Sequence, residues 1–84
     1  MSIKILYFAA LRDALDCGDE TLELPAGVST LGALREHLVS RGERWAPLAA
    51  TKNLRMARNQ RMVQAGEPVA DGDEIAFFPP VTGG

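Results

Sequence analysis

The chain has 84 residues, 46% hydrophobic and 24% charged, with a formal net charge of −2, which fits one soluble domain and leaves no room for a second. One Cys and one His exclude an intramolecular disulfide and a zinc cage built from several cysteines. No run approaches the roughly 18 apolar residues of a membrane span, and no small-residue cleavage site follows the first residues, so a cytoplasmic protein away from the membrane is expected.

Residues 3–8 read as a strand, with Ile3, Ile5 and Tyr7 on one face and Lys4, Leu6 and Phe8 on the other. Residues 9–16 form a short helical turn that Cys17-Gly18 ends. Residues 19–24 alternate again, with Leu22 and Leu24 on one face, until Pro25-Ala26-Gly27 breaks the run. Ser29 or Thr30 caps a helix whose Leu31, Leu34 and Leu38 share a face and which stops at Arg41-Gly42. Residues 43–50 are an irregular or short helical piece with Trp45 packing inward. Residues 54–58 and 61–64 are short strands joined by Asn59-Gln60 as a hairpin turn. Asp71-Gly72-Asp73 is a turn, and residues 74–78 form the last strand before Pro79-Pro80 ends regular pairing.

This ββαβββ order predicts an α+β fold of the β-grasp type, a mixed and mostly antiparallel sheet of about five short strands with one main helix on one face. The uncovered face then carries Leu6 and Phe8. Because successive strand residues alternate, it also carries one of Phe77 and Phe78, and Met62 joins the same patch. Exposed apolar clusters of this kind mark an interface.

Several other features carry no function. Residues 41–66 hold six basic side chains (Arg41, Arg44, Lys52, Arg55, Arg58, Arg61) against Glu43. Trp45 is the only aromatic among them and the whole chain is acidic, so a solvated basic face is expected and no nucleic-acid partner. Gly27 and Gly32 have the spacing of a phosphate loop, but Ala33-Leu34 follow where Lys-Ser/Thr should stand. Asp71, Asp73 and Glu74 read as solvated turn carboxylates, and no metal is expected. His37, on the flank of the leucine stripe, reads as a half-exposed structural residue. Cys17 sits beside Asp16 and Asp19, acids that raise its pKa and blunt it as a nucleophile.

The sequence ends Thr82-Gly83-Gly84. Glycines without side chains thread a channel too narrow for other residues, and Pro79-Pro80 stiffens the exit from the sheet. Residues 80–84 span roughly 15–17 Å when extended. The expected organisation is a domain over residues 1–78 and a tail over residues 79–84, with Pro79, Pro80, Val81, Thr82 and Gly83 delivering Gly84 into another protein's active site. A free α-carboxylate, with a pKa of about 3.5, is inert until it is activated, typically as an acyl-adenylate.

The final fourteen residues, 71–84, closely resemble the end of the small, sulfur-carrying subunits of molybdopterin synthase. The opening Lys4-Ile5-Leu6-Tyr7-Phe8-Ala9 with Leu11-Arg12, and Ala33-Leu34-Arg35 followed by Arg44-Trp45, are similar to that family too. The resemblance implies a ubiquitin-like β-grasp domain with Gly84 as the working group, adenylated by a ubiquitin-activating-like adenylyltransferase that uses ATP. A sulfurtransferase or cysteine desulfurase would supply the sulfur of a thiocarboxylate. That sulfur would build the molybdopterin dithiolene from cyclic pyranopterin monophosphate inside the large subunit, in an assembly of two small and two large subunits. By matching position, Phe8, Arg12, Met62 and Phe78 fall at the partner interface, while the chain itself binds no cofactor. The alternatives are a sulfur carrier for thiamine, cysteine or tRNA thiolation, or a ubiquitin-like binding or conjugation module.

Overall fold

Alternating burial along β1 (Ser2–Tyr7) opens the fold: Ile3, Ile5 and Tyr7 are buried, while Ser2 and Lys4 are exposed. The computed structural model describes residues 2–80. Over these, β2 (Asp19–Glu23), β3 (Arg55–Arg58), β4 (Arg61–Val63) and β5 (Glu74–Phe78) join β1 in one sheet of order β2-β1-β5-β3-β4. β1 pairs parallel with β5, and the other three pairings are antiparallel. The first and last strands therefore lie side by side in the middle of the sheet.

α1 (Ala9–Leu15), α2 (Leu31–Val39), a 3-10 turn (Glu43–Trp45) and α3 (Ala46–Ala50) supply the helical layer. Leu31, Leu34 and Leu38 of α2 are fully buried with Ile5, Ile75 and Phe77 of the sheet, so the predicted leucine stripe is the face that meets the sheet. Thr30 is the cap of α2, its Oγ1 accepting from the Ala33 amide at 3.2 Å, a contact worth about 1 kcal/mol. No helix among the described residues is long and apolar enough to cross a membrane.

Arginines close the other helix ends. Arg44 donates to the Leu15 and Asp16 carbonyls at 2.8 and 3.0 Å, and Arg35 donates to the Leu48 and Thr51 carbonyls at 2.7 and 3.4 Å. Each guanidinium satisfies carbonyls that a helix terminus leaves unpaired. Arg41 and Arg58 are held by carboxylates. Arg41, Arg44, Lys52, Arg55 and Arg61 are exposed, as the expected solvated basic face requires, and Arg41 and Arg44 also tie elements of the fold together.

Asn59 and Gln60 connect β3 to β4 with φ of +51° and +69°, the pair of left-handed residues that a two-residue type I′ hairpin requires. Asn tolerates that region and Gln does not favour it. Gln60→Gly is expected to stabilise the domain by about 0.5–1 kcal/mol, read as a higher urea midpoint with an unchanged slope.

Asp73 corrects the expectation of solvated turn carboxylates: it is only 8% exposed. Its carboxylate accepts from Arg58 Nε at 2.8 Å, Asn59 Nδ2 at 3.0 Å and the Ala70 amide at 2.8 Å, fastening the hairpin turn to the approach to β5. Burial pushes its pKa up, but the Ala70 amide, the Asn59 side chain and the Arg58 guanidinium outweigh burial and hold it below the ordinary carboxylate value. A depressed folded pKa contributes stability above the unfolded value of about 4 and loses it as pH falls through the folded one. Asp73→Asn is expected to cost about 2 kcal/mol at pH 7 and to flatten the acid limb below about pH 4. Urea unfolding of both proteins at neutral and acid pH checks both effects.

Candidate functional site: the open face of the sheet

The register of the sheet assembles the site. Leu6 lies beside Ala76, Ala76 opposite Ala57, and Ala57 opposite Met62, so one apolar row crosses four strands on the side away from the helices. The adjacent row places Phe78 opposite Arg55. The Phe8 amide donates to the Phe77 carbonyl at 3.1 Å, which carries the β1 ladder one residue further. Ala9 then turns the chain in the left-handed region, at φ +54°. Phe8 and Phe78 meet edge to face with ring centroids 6.3 Å apart, a favoured aromatic geometry.

Phe8 is 46% and Met62 55% exposed, the two large hydrophobics that remain open to solvent among the described residues. Leu6 and Phe78 are half-buried beside them, and Ala57 and Ala76 form a shallow floor. Phe77, by contrast, is fully buried on the helix side, stacked at 6.1 Å on Tyr7. The alternation expected at Phe77-Phe78 therefore resolves with Phe78 on the open face.

Of the predicted interface residues, the structure brings Phe8, Phe78 and Met62 onto this face. Arg12 is exposed on α1 one turn beyond Phe8, its amide donating to the Phe8 carbonyl at 3.4 Å and its side chain lying over Gly18, where a Cβ would come within 3.2 Å of the Arg12 Nε. β5 ends at Phe78, and Pro79 and Pro80 are half-buried at its exit. Asn53, Leu54, Arg55, Gln64 and Pro80 line a shallow groove there, about 330 Å³ in volume. Val81, Thr82, Gly83 and Gly84 lie outside the described residues.

Sequence reasoning missed Arg55 as a member of this face. Its spacing of two from Ala57 in a strand was the available signal. It also missed a network on the helix side. Tyr7 donates its hydroxyl to Glu20 at 2.8 Å, and Arg41 donates to both Glu20 oxygens at 2.9 and 2.7 Å. The Arg41 guanidinium lies 3.9 Å over the Trp45 ring, a cation–π contact. Burial foremost, then the hydrogen bond to Glu20, raises the Tyr7 pKa, while Arg41 lowers that of Glu20. The Cys17 thiol is pushed up, as expected, but by burial first and then by Glu20, while Arg44 and the Asp19 carbonyl pull it down and the Asp19 charge adds only a small push upward. His37 is half-exposed on α2, as its position beside the leucine stripe predicts.

Among the described residues no group of three His, Cys, Asp or Glu side chains could hold a metal ion. What the face offers among the described residues is an exposed apolar surface at the root of the last strand.

Comparison with known proteins places the chain in a family. A model described as the ThiS family matches residues 5–84. The chain is 44% identical over 82 residues to the molybdopterin synthase sulfur carrier subunit of Escherichia coli, covering 98% of this chain and 99% of that protein. It is 40% identical to the protein of the same name from Haemophilus influenzae, with the same coverage. Among solved structures, SAMP1 of Haloferax volcanii superposes over the full length of both chains with a TM-score of 0.77 at 26% identity. A complex of subunits 1 and 2 of molybdopterin-converting factor from Helicobacter pylori contains a chain of the same fold, with a TM-score of 0.67, 22% identity and full coverage of both chains.

Proposed function

The chain belongs to the ThiS family, among the sulfur carrier subunits of molybdopterin synthase, and from that premise we propose that it carries its sulfur on Gly84 and delivers it on the tail formed by residues 79–84. A carboxylate is a poor electrophile because attack must add charge to an anion. Adenylation by a ubiquitin-activating-like enzyme, with pyrophosphate leaving ATP, converts the carboxylate into a mixed acyl-phosphate anhydride from which AMP can leave. The terminal sulfur of a persulfide on a sulfurtransferase or cysteine desulfurase then attacks the acyl carbon, AMP leaves, and a thiol cleaves the resulting acyl disulfide by reduction, releasing Gly84 as a thiocarboxylate.

The large synthase subunit covers the open face around Phe8, Met62 and Phe78. It receives the tail in a channel whose inner end only Gly83 and Gly84 are slim enough to thread, and there the sulfur enters cyclic pyranopterin monophosphate to form the dithiolene. Acids and bases for that chemistry come from the large subunit, and the domain binds no cofactor. The cytoplasm, with its ATP and reduced thiols, suits this chemistry. The observation that carries this reading is the 44% identity over 98% of the chain to a named sulfur carrier subunit, together with a family match that runs to residue 84.

Incubation with ATP, the activating enzyme and a sulfur source is expected to exchange one oxygen of the chain for sulfur, visible by intact mass. An unchanged mass would remove the carrier reading. A second reading, conjugation to other proteins, is favoured by the likeness to SAMP1, and it predicts lysine-linked adducts in the same reaction instead.

A further inference from the structure

The charges on the open face are sorted. At the β2 edge, Asp19 lies beside Leu6 and Glu23 beside Ser2, both exposed and on the open side by their register. In the middle, Lys4 lies beside Glu74, so opposite charges are neighbours there. Across the apolar row stands Arg55, exposed, opposite Phe78 and lining the groove at Pro80.

Among the described residues Arg55 enters no ion pair, whereas Arg41 is held by Glu20 and Arg58 by Glu67 and Asp73. A guanidinium beside Phe78 cannot be covered by a purely apolar surface without losing its water and gaining nothing for it. Whatever covers Phe8 and Phe78 must therefore also accommodate that cation.

We propose that the partner surface is charge-sorted to match, with a carboxylate facing Arg55 at the root of the tail and a Lys or Arg facing Asp19 and Glu23 at the β2 edge. The occupant is the large synthase subunit, and this inference rests on the function proposed above. Opposite charges at the two ends give the docked pair a direction. A partner rotated by half a turn would meet like charge at both ends. The pairing thus orients the domain so that the tail root faces the channel, and it accelerates encounter through long-range attraction.

The test measures association and dissociation of the full-length chain with the large subunit from the same organism, at low salt and in 1 M salt. Wild type, R55K, R55Q, R55E and the double variant D19K/E23K are compared, with thermal melts confirming that each is folded. R55E and D19K/E23K are expected to slow association about tenfold or more at low salt, with R55Q intermediate and R55K near wild type. The differences should collapse in 1 M salt, where the Debye length is about 3 Å. R55E associating as fast as wild type at low salt would overturn the charge sorting and leave the carrier function standing. Failure of the wild type itself to bind the large subunit would instead overturn the partner reading on which the inference rests. Dimerisation of the wild-type chain abolished by R55E would assign the face to a second copy and overturn the proposed occupant.

Discussion

Deletion of Gly84, or fusion of any residue after it, is expected to abolish sulfur loading while the domain melts where the intact chain does. Activation needs a free carboxylate that can reach the adenylating centre, and both changes move or remove it. Gly84→Ala is a finer instrument. It keeps the carboxylate but adds a methyl group beside the carbon that is activated, and a misplacement of ~1 Å at a reacting centre costs about 100-fold in rate. Intact mass after incubation with ATP, activating enzyme and sulfur source reads the loading, and a thermal melt reads the fold. Full loading of a C-terminally extended chain would dismiss Gly84 as the sulfur-bearing group.

The neighbouring residues Phe77 and Phe78 should separate stability from binding. Phe77 is fully buried against Tyr7, and truncating a buried phenylalanine to alanine costs about 3–5 kcal/mol. Domains are stable by only about 5–15 kcal/mol in total, so Phe77→Ala should leave a marginal protein. Phe78 is half-buried on the open face against Phe8. Phe78→Ala should cost about 1 kcal/mol of stability yet at least about 2 kcal/mol of partner binding, roughly 30-fold in Kd, if it acts as an aromatic anchor. Urea unfolding and calorimetric titration with the large subunit measure the two effects independently. Equal stability losses for both variants would contradict the two-faced sheet.

The sequence signals that proved sufficient were local. Thr30 announces its helix through its own backbone, and Leu31, Leu34 and Leu38 declare a face by spacing alone. Strand alternation carried further, placing Phe8 and Met62 in the open before any contact was known. Asp73 misled because Asp-Gly-Asp looks like any exposed turn. Its burial depends on Arg58 and Asn59, which reach it from a hairpin far away in the chain. Glu20 hides its role for the same reason, since Tyr7 and Arg41 come to it from β1 and from beyond α2. Arg55 was overlooked because a charge in a basic run looks solvated until Phe78 is known to lie across from it. Arg12 entered the predicted interface by resemblance, and it stands one helical turn beyond Phe8 with its side chain over Gly18.

The parallel pairing of β1 with β5 bears on how the protein is made. β5 sits between β1 and β3, so a nascent chain cannot complete its sheet until residue 78 has been synthesised. Both aromatics of the docking face wait on that event, because Phe78 belongs to β5 and the Phe8 amide is fixed by the Phe77 carbonyl. A chain cut short before its last strand has no assembled face with which to engage a partner. On the function proposed above, a fragment lacking the last strand would present no such face to compete with the finished chain.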